Sequence, residues 1–143
     1  MVTVMDKPIV NSISDVTQDH LITGILWITK MGSPERWNLT AAEIAALLGG
    51  LTVDAHQEML RRTECGLPIT MTPDTVERLS LLLGIWKALQ LLVPIGRQDL
   101  AFNWFNKPNN SPLLNGMSIK YYLLENNTLE SFYTVRDYLN SNR

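Results

Sequence analysis

Apolar residues recur every three or four positions along the whole chain, and no stretch alternates with the period of two that a half-buried strand requires, so the pattern predicts an all-α fold. Val16, Leu21, Ile22, Ile25, Leu26, Ile28 and Met31 form the stripe of a first helix, with Asp15 placed to cap it and Gly32-Ser33-Pro34 to stop it. Thr40 and Glu43 stand at capping-box spacing ahead of Ile44, Leu47 and Leu48, which predicts a short second helix broken by Gly49-Gly50. Thr52 then caps a third helix that runs to Arg62 with Val53, Met59 and Leu60 as its apolar positions. A short helix, a glycine turn and another helix, with Ala45 four residues before Gly49, match a helix-turn-helix; a plain αα-hairpin fits the same pattern.

After a hinge containing Gly66 and Pro68, Thr72 and Pro73 open the longest helix, which meets no breaker before Pro94. Its apolar positions are too many for one narrow stripe. Leu82, Ile85, Trp86 and Leu89 are therefore expected to contribute to a dimer or higher oligomer, although burial inside the chain alone accounts for them equally well. A short helix with Phe102, Trp104 and Phe105 ends at Pro108, and Asn109 to Gly116 is turn chemistry anchored by Leu113 and Leu114. Ser118 and Thr128 cap the last two helices. The organisation expected is a flexible arm over 1–14, a helix-turn-helix domain over 15–70 and a second helical domain over 71–143.

Composition narrows the functional classes. With 143 residues and 45% hydrophobic content, the chain can bury a substantial core. No apolar run reaches membrane-spanning length, and Met1 to Val10, which carries Asp6 and Pro8, lacks the basic-then-apolar layout of a secretory signal; a cytoplasmic protein without membrane contact is expected. The single cysteine, Cys65, forms no internal disulfide and is read as an inert thiol. His20 and His56 are far apart and have no Cys or carboxylate at metal-ligand spacing, so no metal, cofactor or catalytic residue is proposed. Net charge is −2; residues 1–70 hold five Lys/Arg against eight Asp/Glu, and residues 71–143 hold seven against six. Neither part has the cationic excess that drives strong DNA binding, so contact with DNA should be weak or dependent on assembly.

The second half carries a family resemblance. Val76 to Leu89 resembles the opening helix of the toxin-binding domain of Xre/MbcA/ParS-type antitoxins. Ala101 to Asn109 resembles that domain's tryptophan-containing helix with its Pro-Asn end, Leu113 to Ser118 its leucine-glycine turn, and Val135 to Leu139 its closing helix. The order is kept throughout residues 71–143, while Met117-Ser118-Ile119 departs from the small-residue-plus-proline helix start often met there. The first half is similar, more weakly, to the helix-turn-helix of the same antitoxins.

The resemblance implies a non-enzymatic antitoxin that neutralises a RES-domain toxin acting on NAD and represses its own operon. A stand-alone transcriptional regulator with a dimerising second domain is the alternative. On the first reading Tyr133, Tyr138, Asn140, Asn142 and Arg143 face the toxin, with Arg143 suited to plug an acidic or carbonyl-rich nicotinamide pocket; a plain disordered terminus is the other possibility for these last residues. Tyr121, Tyr122 and Phe132 add to the aromatics of the last two helices, most of which are expected in the core. If the third helix enters a major groove, Thr52, His56 and Gln57 lie near its leading end with Gln57 the best base reader, and Arg61 and Arg62 are the phosphate contacts on operator DNA.

Overall fold

A threonine opens the first helix. In the computed structural model, which describes residues 16–142, Thr17 caps α1 (Gln18–Met31): its hydroxyl accepts the His20 amide at 3.3 Å, and His20 Nδ1 accepts the Thr17 amide at 3.1 Å. This reciprocal pair takes up two amide donors that a helix start leaves open. Asp15, expected as the cap, and the expected arm over 1–14 lie outside the described residues.

Thr40 and Glu43 close a second such box at the head of α2 (Ala41–Leu47), as their spacing predicts. A two-glycine turn leads to α3 (Val53–Glu64), capped by Thr52, and Thr72 and Pro73 start α4 (Pro73–Leu91). Then come α5 (Gln98–Asn106), a single 3-10 turn at Pro112–Leu114, α6 (Ile119–Glu125) capped by Ser118, and α7 (Leu129–Ser141) capped by Thr128. The fold is all-α: seven α-helices and no strand among the described residues.

Helix α4 is the centre of the packing. It lies along α7, touches α5, and crosses α1 near Gly24, where an added Cβ would come within 3.1 Å of Leu79 Cδ1. The apolar side chains of all seven helices join one core, from Ile25 and Ile28 on α1 through Leu82, Ile85 and Leu89 on α4 to Phe132, Val135 and Leu139 on α7. Trp37, in the turn after α1, sits fully buried inside it, stacked on Phe105 at 3.9 Å between ring centroids and met edge-on by Trp27 and Trp86.

Polar side chains also link residues before and after the hinge near residue 70. Lys120 on α6 donates to the carbonyls of Trp37 and Asn38. The Asn106 amide donates to the Arg36 carbonyl, and the Thr75 hydroxyl to that of Leu48. Within the first part, Gln18 on α1 anchors the start of the hinge, both donating to and accepting from the backbone of Ile69. The hinge near residue 70 therefore marks a change of direction within one shared core.

The surplus of apolar positions on α4 is taken up within the chain. Leu82, Ile85 and Leu89 have 0% exposure, and the half-buried Trp86 is stacked on Phe102, so the first three cannot meet a second subunit without opening the core. The apolar side chains of α4 that do reach solvent are Leu83 and Leu91.

Candidate functional site

Two surfaces were singled out by the sequence, and the structure treats them differently. On α3, Thr52 is exposed but its hydroxyl caps the helix, Gln57 points to solvent, and His56 is buried with 1% exposure. His56 faces α1 instead, with Nε2 3.0 Å from the Thr29 hydroxyl, and is out of reach of any groove. Its apolar environment holds the imidazole pKa below the ordinary value.

Arg61 and Arg62 are both engaged. Arg61 binds Glu58 through two hydrogen bonds, of 2.9 and 2.7 Å, which raises the guanidinium pKa and lowers that of the carboxyl. Arg62 donates to the Pro68 carbonyl at 2.7 Å. With Asp54, Glu58 and Glu64 all exposed on the same helix, this surface offers phosphate little free positive charge.

The second surface lies where α7 packs along the start of α4. The Tyr133 hydroxyl donates to the Glu77 carboxylate, which pushes the phenol pKa up, and the Arg136 guanidinium stands 5.0 Å from the Tyr133 ring centre while also binding Asp137. Arg136 can lie flat here because Gly84 has no side chain; a Cβ at Gly84 would be 3.2 Å from Arg136 Cδ. Tyr133 is therefore an exposed aromatic held in one orientation from both sides. Tyr138 is half-buried, and Asn140 and Asn142 are exposed, the latter donating back to the Tyr138 carbonyl. Arg143 lies outside the described residues. On α6, Tyr121 is 51% exposed beside Lys120, whereas Phe132 belongs to the core.

The buried polar residues are what the helical pattern did not single out. Arg78 has 7% exposure and binds Asp74 and Asn127 while its guanidinium lies 5.1 Å from the Phe132 ring centre. Lys120, at 5% exposure, is held below its ordinary pKa by burial, against the opposing charge of Glu43. An apolar groove of ≈ 330 Å³ between α1 and α4 is lined by Leu21, Gly24, Val76, Leu79 and Leu83. Among the described residues, no three His, Cys, Asp or Glu side chains gather so as to hold a metal ion, and no helix is long and apolar enough to cross a membrane.

No family model and no solved structure matches the chain. It is similar to the uncharacterized protein y4oB of Sinorhizobium fredii (strain NBRC 101917 / NGR234), with 34% identity over 109 residues that cover 76% of this chain and 77% of that protein. Identity at that level over that share of both sequences means that the chain belongs to the same family as y4oB.

Proposed function

We propose that this protein is an antitoxin that binds and silences a RES-domain, NAD-acting toxin through the surface formed by α6 and α7. The observation that carries the reading is the setting of Tyr133: an exposed aromatic fixed between Glu77 and Arg136, with Tyr121 more open still on the preceding helix. A tyrosine already ordered before binding offers a large contact area at little entropic cost, the usual make-up of an interface anchor. The segments that resemble the antitoxin domain also fall in order on α4, α5, the 3-10 turn and α7, with α6 between the last two outside the resemblance.

Operator binding is the weaker half of the proposal. The engaged arginines and exposed acids of α3 favour DNA contact only in an assembly, where several copies add their contributions. Oligomerisation of the free protein through α4 would use Leu83 and Leu91 in place of the buried positions.

Co-expression with a RES-domain protein tests the reading directly. A stable complex and an end to NAD consumption are expected, and Tyr133→Ala should weaken the complex by about 5- to 30-fold, the range for losing one interface anchor. Absence of a complex at micromolar concentration, with NAD consumption unchanged, overturns it.

A further inference from the structure

Of the twelve residues of α3, only His56 is fully buried. The others are half-buried or exposed, and the helix packs chiefly on α1 and α2, away from the α4–α7 pair that dominates the core. A helix held this way can leave without unfolding the remainder. We propose that His56 is a pH-sensitive latch whose protonation releases α3 from α1 while the rest of the bundle stays folded. The inference does not depend on what α3 or α7 binds.

The hydrogen bonds fix which form of the ring fits. The Thr29 hydroxyl donates its proton to the Ile25 carbonyl at 2.7 Å, so toward His56 its oxygen acts as acceptor and Nε2 carries the hydrogen. Nδ1 is then the bare nitrogen, buried and without a partner. A second proton there would be a buried donor on a buried cation, with no acceptor and no counter-ion.

The charged and titratable groups on the surrounding elements do not relieve this. Those on α1 (Asp19, His20 and Lys30) are exposed, and Glu43 on α2 is turned back to cap its own helix. On α3 itself, Asp54 and Glu64 are exposed, Glu58 and Arg61 bind each other, and Arg62 is tied to Pro68. Burial alone sets the direction, lowering the pKa in the closed state. The closed state therefore binds fewer protons than the open one. Its advantage is intact above the ordinary value of 6.5 and is lost progressively as pH falls from there toward the closed-state pKa.

Hydrogen exchange on the full chain at pH 7.5 and pH 5.0, corrected for intrinsic rates, reads this directly. The opening constant of α3 amides should rise by up to about 30-fold, the ceiling for an open-state pKa near 6.5, while α4 and α7 stay protected. His56→Leu should abolish the rise and His20→Gln should keep it. The proposal is overturned if the wild type shows no rise, if His56→Leu keeps it, or if α4 and α7 open in parallel. Should His56→Leu fail to fold, NMR titration of the wild type decides. His56 must titrate below the ordinary value of 6.5, and α3 protection must fall along the His56 curve; a midpoint at or above that value removes the latch.

Discussion

Arg78 and Asn127, 49 positions apart, form a two-way clasp: the guanidinium donates to both the side-chain and the backbone oxygen of Asn127. The Asn127 amide passes the connection on, donating to the Ala46 carbonyl near the end of α2 at 2.7 Å. One asparagine thus ties a buried charge on α4 to a helix-end carbonyl of α2. Asn127→Ala should cost about 2–4 kcal/mol in urea denaturation, because it removes the side-chain acceptor from a cation that cannot reach water and the donor to the Ala46 carbonyl, while leaving the backbone acceptor in place. Asp74, whose side chain is 43% exposed, should matter less, and Asp74→Asn is expected to cost under about 1 kcal/mol. The reverse ranking would mean that the ion pair, and not the asparagine, holds Arg78.

Lys120 makes the corresponding link between α6 and the turn after α1. Its ammonium donates to the carbonyls of Trp37 and Asn38 at 3.2 and 2.9 Å, and Asn38 sits in the left-handed region at φ 53°. Lys120→Met keeps the apolar stem and removes only the donors, so a loss of about 1–3 kcal/mol is expected from the orphaned carbonyls. A change within about 0.5 kcal/mol by thermal unfolding would show that water reaches those carbonyls and that the link contributes nothing.

The glycine pair between α2 and α3 gives a sharper contrast. Both have positive φ, 99° at Gly49 and 79° at Gly50, but a Cβ at Gly49 would stand 2.4 Å from Asp74 Oδ2, whereas one at Gly50 meets nothing within 4 Å. Gly50→Ala should therefore cost only the backbone penalty, about 1–2 kcal/mol. Gly49→Ala must also displace the Asp74 carboxylate from Arg78, which adds up to about 1 kcal/mol to the backbone penalty, so about 1–3 kcal/mol is expected. Equal effects in denaturant titrations would mean that the Asp74 side chain swings aside without loss.

These contacts mark the limit of what the sequence made legible. Local signals were read well: Thr40 with Glu43, Thr72 with Pro73, and Ser118 and Thr128 all stand at helix starts, because capping is decided within four residues. Arg78 and Lys120 gave no such signal: apart from Asp74, one turn before Arg78, their partners lie 49 to 83 positions away. His56 was readable in principle. It falls three residues after Val53 and three and four before Met59 and Leu60, which puts it on the apolar face of α3, yet its polarity placed it among the DNA contacts. The crowded apolar surface of α4 did predict burial on more than one side, but periodicity does not say whether the neighbour is α7 of the same chain or another subunit.

How silencing would work turns on the end of α7, where the Asn142 side chain donates to the Tyr138 carbonyl at 2.7 Å and so caps the last turn of the helix. Tyr133 lies on the same helix about two turns earlier, exposed and braced by Glu77 and Arg136. On the proposed function two jobs would divide between two residues: Tyr133 would contribute contact area, and Arg143, outside the described residues, a planar guanidinium with five N–H donors suited to an acidic or carbonyl-rich cleft. The two substitutions should then have different signatures. Tyr133→Ala is expected to weaken the complex about 5- to 30-fold while the complex that does form stays silent. Arg143→Ala should leave binding nearly unchanged while NAD consumption returns at equal stoichiometry. Titrating toxin with each variant, with binding and NAD turnover followed in the same samples, separates contact from plugging. If Arg143→Ala still blocks turnover completely, inhibition comes from the helical surface covering the cleft, and the toxin contacts to map next are those around Tyr133 and Tyr121.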